Sequence, residues 1–188
     1  MKISVNDVRP GHVLEHQGKL WRAVKTEHVK PGKGPAYLQV ELKGVDHPTK
    51  LNERLRTADT IERVRLDETD YQFLYDDGDQ LHFMNQESFE QVALPKELVG
   101  DAVVFLKEGM TVTVQSYEGR ALSVSLPETA VCEVVQADPV VKGQTAAASY
   151  KPAILDNGVR VMVPPHIEVG TRVVVNTADS SYVERAKD

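Results

Sequence analysis

The sequence predicts an all-β protein of three small barrels, an SH3-like (KOW-like) barrel followed by two of OB type. Three observations carry this. Apolar residues recur at every second position in short runs, the period of a half-buried strand, and turns rich in Gly and Pro separate the runs while helix signals are few. The 188 residues leave room for two or three β-rich modules, which often hold only roughly 60 residues each. The charge also changes in steps. Divided after Arg63 and Pro127, the chain holds 12 Lys/Arg against 8 Asp/Glu, then 4 against 12, then 6 against 8, giving segment nets of +4, -8 and -2 within a total of -6. The predicted modules are therefore 1–63, 64–127 and 128–188.

In the first module, Asp7-Val8-Arg9-Pro10-Gly11 is a turn, His12 to Glu15 runs on from it, and Gln17-Gly18-Lys19 is a second turn. Leu20 to Val24 and Tyr37 to Leu42 read as strands, the second with Leu38, Val40 and Leu42 on one face. Trp21 is expected in the core. Between these strands lies Lys30-Pro31-Gly32-Lys33-Gly34-Pro35-Ala36, where two prolines fix φ and two glycines permit positive φ, so the chain must reverse. Lys33 sits at the tip with little backbone bulk beside it. A phosphate-cradling loop would need glycine six positions earlier and Ser or Thr next, where Glu27 and Gly34 stand, so nucleotide binding is excluded. Lys50 to Thr57 carries charges of both signs and leads into Thr60 to Val64. No Gly/Ser-rich linker follows, which implies a tight junction.

The second module carries a hairpin, Tyr71 to Tyr75 and Gln80 to Met84 around Asp76-Asp77-Gly78-Asp79. A second hairpin, Met110 to Val114 and Ala121 to Leu126, turns at Glu118-Gly119. Between them, Leu94 to Gly100 reads as a short helix opening near Pro95. A short helix among about five strands is the OB pattern. Tyr71, Phe73, Tyr75, Phe83 and Phe89 are expected in the core, because an acidic module repels the phosphates that a base-stacking face would meet.

The third module repeats the pattern: a strand from Thr129 to Gln136, a long loop from Asp138 to Tyr150, then strands around Val159 to Val163 and Thr171 to Val175. The loop is rich in small residues between Lys142 and Lys151, a composition suited to lying along a nucleic-acid backbone.

Composition excludes several classes. Cys132 alone forms no internal disulfide and is expected as a small core residue of a chain kept in a reducing cytoplasm. The N-terminus reaches Asp7 before an apolar run forms, and no segment approaches about 18 uncharged apolar residues, so neither export nor a membrane span is expected. The histidines have no metal-ligand spacing and no Gly-x-Ser-x-Gly elbow occurs, so no catalytic residue, metal or cofactor is expected. A basic first module in an acidic chain points to nucleic acid as that module's partner.

Lys151-Pro152-Ala153, Gly158, Val161, Val163-Pro164, Ile167 and Gly170 resemble the signature of bacterial translation elongation factor P at every specified position, and Pro31-Gly32-Lys33-Gly34 matches that family's lysine-bearing tip. The two motifs lie about 120 residues apart in register, so the resemblance spans the chain. It implies a three-domain, monomeric cytoplasmic factor that binds the ribosome beside peptidyl-tRNA in the P site. Such a factor positions the CCA end and relieves stalling at consecutive prolines, while the ribosome remains the catalyst. By matching position, Lys33 would be the CCA-end contact and the target of a lysine-modifying enzyme, with Lys30, Pro31, Gly32, Gly34 and Pro35 supporting it. Gly143, Gln144, Thr145 and Lys151 would lie near mRNA in the exit site, and Tyr182 and Arg185 would face RNA. Pro35, and the Ala146-Ala147-Ala148-Ser149-Tyr150 stretch, depart from looser versions in relatives and stiffen their loops. The family's tip modifications include β-lysine and aminopentanol; a lysine tip argues against arginine rhamnosylation. A ribosome-associated paralogue and a general RNA-binding barrel protein are the alternative readings.

Overall fold

Alternation at period two builds the first sheet. Strands β1 (Lys2–Ser4), β2 (Val13–His16), β3 (Lys19–Val29), β4 (Tyr37–Gly44), β5 (Lys50–Arg56) and β6 (Thr60–Val64) pair in the order β1-β6-β2-β3-β4-β5. These come from a computed structural model that describes residues 1–139 and 149–187. Leu38, Val40 and Leu42 of β4 point inward against Val5, Val8, Leu14, Trp21, Ala23 and Ile61. Trp21 is buried as expected, its indole N–H donating to the His16 carbonyl at 3.0 Å and its ring meeting His47 edge-on at 4.6 Å.

Two features of this sheet differ from the sequence reading. The strand expected at Leu20 to Val24 runs on to Val29, because a bulge between Ala23 and Lys25 breaks the alternation and leaves Val24 exposed. The mixed-charge stretch from Lys50 is a full edge strand. Leu51 and Leu55 pack on the core while Lys50, Asn52, Arg54 and Arg56 face solvent.

The second sheet takes β7 (Asp67–Asp76), β8 (Gln80–Asn85), β9 (Gln91–Pro95), β10 (Thr111–Tyr117) and β11 (Arg120–Ser125) in the order β11-β10-β7-β8-β9. Both predicted hairpins are present. The predicted helix is not: Leu94 and Pro95 finish β9, and only 3-10 turns follow, at Lys96–Leu98 and Gly100–Phe105. Pro95 and Gly100 resemble helix boundaries, but the four residues between that strand end and a positive-φ glycine leave no room for an α-helical ladder.

The aromatic expectation holds in part. Phe73 and Phe83 are buried, 5.5 Å apart, and Tyr71 is half-buried, but Tyr75 is 52% exposed and Phe89 68%. A bulge explains Tyr75. Phe73 pairs with Phe83 and Tyr75 with His82, so two steps on β7 match one on β8 and the side chain turns outward. Phe89 lies beyond β8 in the turn to β9.

The third sheet takes β12 (Thr129–Ala137), β13 (Lys151–Leu155), β14 (Arg160–Val163), β15 (Arg172–Asn176) and β16 (Tyr182–Arg185) in the order β14-β13-β12-β15-β16. Cys132 lies in its core with Val134, Leu155, Val163, Ile167, Val173 and Val175, and burial pushes its thiol pKa up. Sequence reading passed over β13, which carries Pro152, and β16, which is mostly polar. Of the long loop expected from Asp138 to Tyr150, residues 140–148 lie outside the described residues.

By contacts the chain forms two compact units, Met1–Glu68 with Gln115–Ser123, and Thr69–Val114 with Val124–Asp188. In the first, Leu122 packs with Val13 and Leu20. In the second, Phe105 joins the core around Cys132, and Asn157 donates to the Val104 carbonyl at 3.1 Å.

Candidate functional site

The glycine-flanked lysine stands where turn chemistry requires it. β3 and β4 pair up to Val29 and Tyr37, and residues 30–36 close the hairpin. Gly34 has φ of 107°, a conformation an L side chain resists, and a Cβ there would reach Pro31 Cγ at 4.0 Å. A Cβ on Gly32 would meet nothing within 4 Å. Lys30, Pro31, Gly32, Lys33, Gly34 and Pro35 are all exposed. No ion pair among the described residues takes up the charge of Lys33 or Lys30.

The loop is fixed at its base. The Ala36 carbonyl accepts from both the backbone N–H and the hydroxyl of Thr57, each at 3.3 Å. Beside this anchor, Arg54 lies over the Tyr37 ring, 5.2 Å from its centroid, and donates from Nε to Gln39 Oε1 at 3.3 Å. Tyr37 pairs with Arg56, Gln39 with Arg54 and Lys43 with Lys50, so one outer face carries four cations below the loop. Sequence reading missed these residues. The signal was present: Lys50, Arg54 and Arg56 fall two or four apart, which in a strand is one face.

A lysine in this setting offers a cation on a flexible four-carbon stem with three donors and, among the described residues, no internal partner. That suits contact with phosphate or a nucleotide's polar edge.

The third-module candidates have other surroundings. Gly143, Gln144 and Thr145 lie outside the described residues. Lys151 opens β13 half-buried and donates to the Asp138 carbonyl. Tyr182 packs on the third core, its ring edge-on to Tyr150 at 6.4 Å, and burial raises its pKa. Arg185 is exposed at the end of β16.

Elsewhere in the first unit a cleft is lined by Glu15, Lys19, Asp46, His47, Tyr117 and Arg120, with Arg120 bridging to Asp46 at 2.7 Å. The Glu118 carboxylate raises the Tyr117 pKa. Lys19 begins β3 and Lys33 follows its far end, so the cleft is not part of the lysine loop. No group of His, Cys, Asp and Glu among the described residues is arranged to hold a metal ion. No helix among them is long and apolar enough to cross a membrane.

Three family models match in succession: the elongation factor P KOW-like domain over residues 4–61, the elongation factor P OB domain over 66–124, and the elongation factor P C-terminal domain over 130–185. Their descriptions agree with a KOW-like first barrel and an OB second barrel. Elongation factor P of Zymomonas mobilis is 59% identical over 186 residues, covering 99% of this chain and 100% of that protein. The protein of the same name from Parvibaculum lavamentivorans is 57% identical, with the same coverage. Among solved structures, a eukaryotic translation initiation factor 5A from Methanococcus jannaschii superposes with a TM-score of 0.55 at 22% identity, covering 68% of this chain and 92% of that one. At that identity the likeness concerns the fold.

Proposed function

We infer the function from one premise: the chain belongs to the elongation factor P family, and it is a translation elongation factor. From it we propose that the protein binds the ribosome beside peptidyl-tRNA, positions the CCA end through Lys33, and stimulates peptide-bond formation at consecutive prolines. The three segments 1–63, 64–127 and 128–188 act as modules of this one factor. The observation that carries the reading is Lys33 itself, exposed at the apex of a loop anchored only at its base.

The chemistry needs no covalent step by the factor. Proline's ring restricts φ and the approach of its nitrogen, so a prolyl complex spends time in unproductive arrangements. Holding the tRNA end restores near-attack geometry, an entropic contribution that leaves the reacting bonds to the ribosome. Lys33 supplies a charge-assisted donor to the tRNA backbone, and the cations of β4 and β5 add attraction for phosphate. The same exposure makes Lys33 accessible to a modifying enzyme, whose product would lengthen the reach. Gly143, Gln144, Thr145, Lys151, Tyr182 and Arg185 are the corresponding RNA contacts of the third module.

Synthesis through a run of three prolines tests this, with Lys33→Ala compared against Lys30→Ala. The first should abolish the stimulation. The second removes the same charge from the loop base and should only weaken ribosome binding. Full stimulation by Lys33→Ala, or equal loss in both variants, rejects the assignment.

A further inference from the structure

Phe89 is the most exposed large apolar side chain among the described residues, and the only apolar non-glycine residue among them at positive φ, here 60°. Aromatic side chains are disfavoured in this left-handed region, where Asn or Gly sits at little cost. A strained residue of this kind persists because its surroundings over-determine it. Here they do. The Asn85 side-chain oxygen accepts from the Glu87 and Ser88 N–H groups, the Phe89 N–H donates to the Asn85 carbonyl at 2.9 Å, and the Asn85 N–H donates to the Glu90 carbonyl at 2.8 Å. The Gln86 side chain ties the turn to Thr111 at 2.8 Å. The ring is thus held out in water on a rigid turn, with exposed carboxylates at Glu87 and Glu90 on either side.

We propose that Phe89 is the anchor of a docking contact with a protein component of the ribosome, seated in an apolar socket rimmed by Lys or Arg. This rests on the ribosome-binding reading above. A preorganised aromatic loses little entropy on burial, and such residues dominate interface energetics. The carboxylates choose the partner. They repel the phosphates of RNA but complement a basic protein surface, as does the net charge of -8 over residues 64–127.

The test measures the affinity of the full-length protein for salt-washed ribosomes from its own cells, alongside thermal unfolding. Phe89→Gly should melt no lower than the parent, because glycine relaxes the backbone, yet bind at least about tenfold more weakly. Charge reversal, Glu87→Lys with Glu90→Lys, should also weaken binding. A photo-activated benzophenone at position 89 should cross-link to ribosomal protein. Parent-like binding by Phe89→Gly, tighter binding on charge reversal, or cross-links to rRNA alone would overturn the proposal. Failure of the parent protein to bind ribosomes would instead reject the functional reading beneath it.

Discussion

The turn between β7 and β8 and the loop between β3 and β4 each reverse the chain with a positive-φ glycine, Gly78 at 98° and Gly34 at 107°, yet they dispose of their charges in opposite ways. In the first, Asp77 accepts from the Asp79 and Gln80 N–H groups and pairs with His82 at 2.7 Å. Asp76 meets Lys96 at 3.1 Å, and Tyr75 stacks on His82 at 4.3 Å. Asp76 and Asp77 thus both spend their carboxylates on neighbouring groups, and the tip serves its own fold. In the second, Lys33 has none among the described residues, and hydrogen bonds tie down only the loop's exit. A tip that stabilises itself has nothing left to offer; one that does not holds its polar group in reserve for another molecule.

Exchanging the damage between the two tips gives the largest expected effect. Lys33→Ala should eliminate stimulation of proline-run synthesis while changing stability by no more than about 0.5 kcal/mol, as exposed substitutions do. Asp77→Ala should do the reverse, lowering the unfolding midpoint and leaving stimulation intact. Loss of activity in both would break the comparison.

The glycines sharpen it. A Cβ at positive φ costs roughly 1–2 kcal/mol, so Gly34→Ala and Gly78→Ala should lower stability by similar amounts. Only Gly34→Ala should reduce proline-run synthesis, because the strain there is relieved by moving the lysine. Equal activity loss in the two would mean that tip geometry matters less than general stability.

The smallest effect is a matter of pH. Backbone hydrogen bonds from Gln80 and Asp79 and the His82 partner hold Asp77 down from 3.8 to about 2. A carboxylate with a depressed pKa stabilises the fold above its unfolded value and loses that contribution as pH falls through its folded one. The stability gap between the parent and Asp77→Asn, read from denaturant unfolding, should therefore be constant above pH 4 or so and shrink towards pH 2. Lys33→Ala should track the parent through the same window.

What the sequence revealed of these regions follows from how local the determining forces are. The lysine loop was legible because Pro31, Gly32, Gly34 and Pro35 act on their own backbone. The Asp77 turn was legible for the same reason. The charged edge strand β5 was not, since its place depends on pairing with β4 and its outward residues hid the two leucines. Tyr75 was assigned to the core because a bulge is decided between two strands and leaves no mark on one. Phe89 was misjudged by composition, which does not distinguish a ring that fills a core from one that a turn holds outside.

The Thr57 anchor at Ala36 has a bearing on speed. A lysine on a long floppy segment would search a large volume, and its local concentration at any fixed receptor would be diluted accordingly. Two hydrogen bonds to one carbonyl shorten the free span to the few residues between Val29 and Ala36. Once the body is docked, the ammonium is confined to a small volume about the apex, and each encounter begins with most of the search complete. Thr57→Ala, far in sequence from the tip, would enlarge that volume without altering a single atom of Lys33.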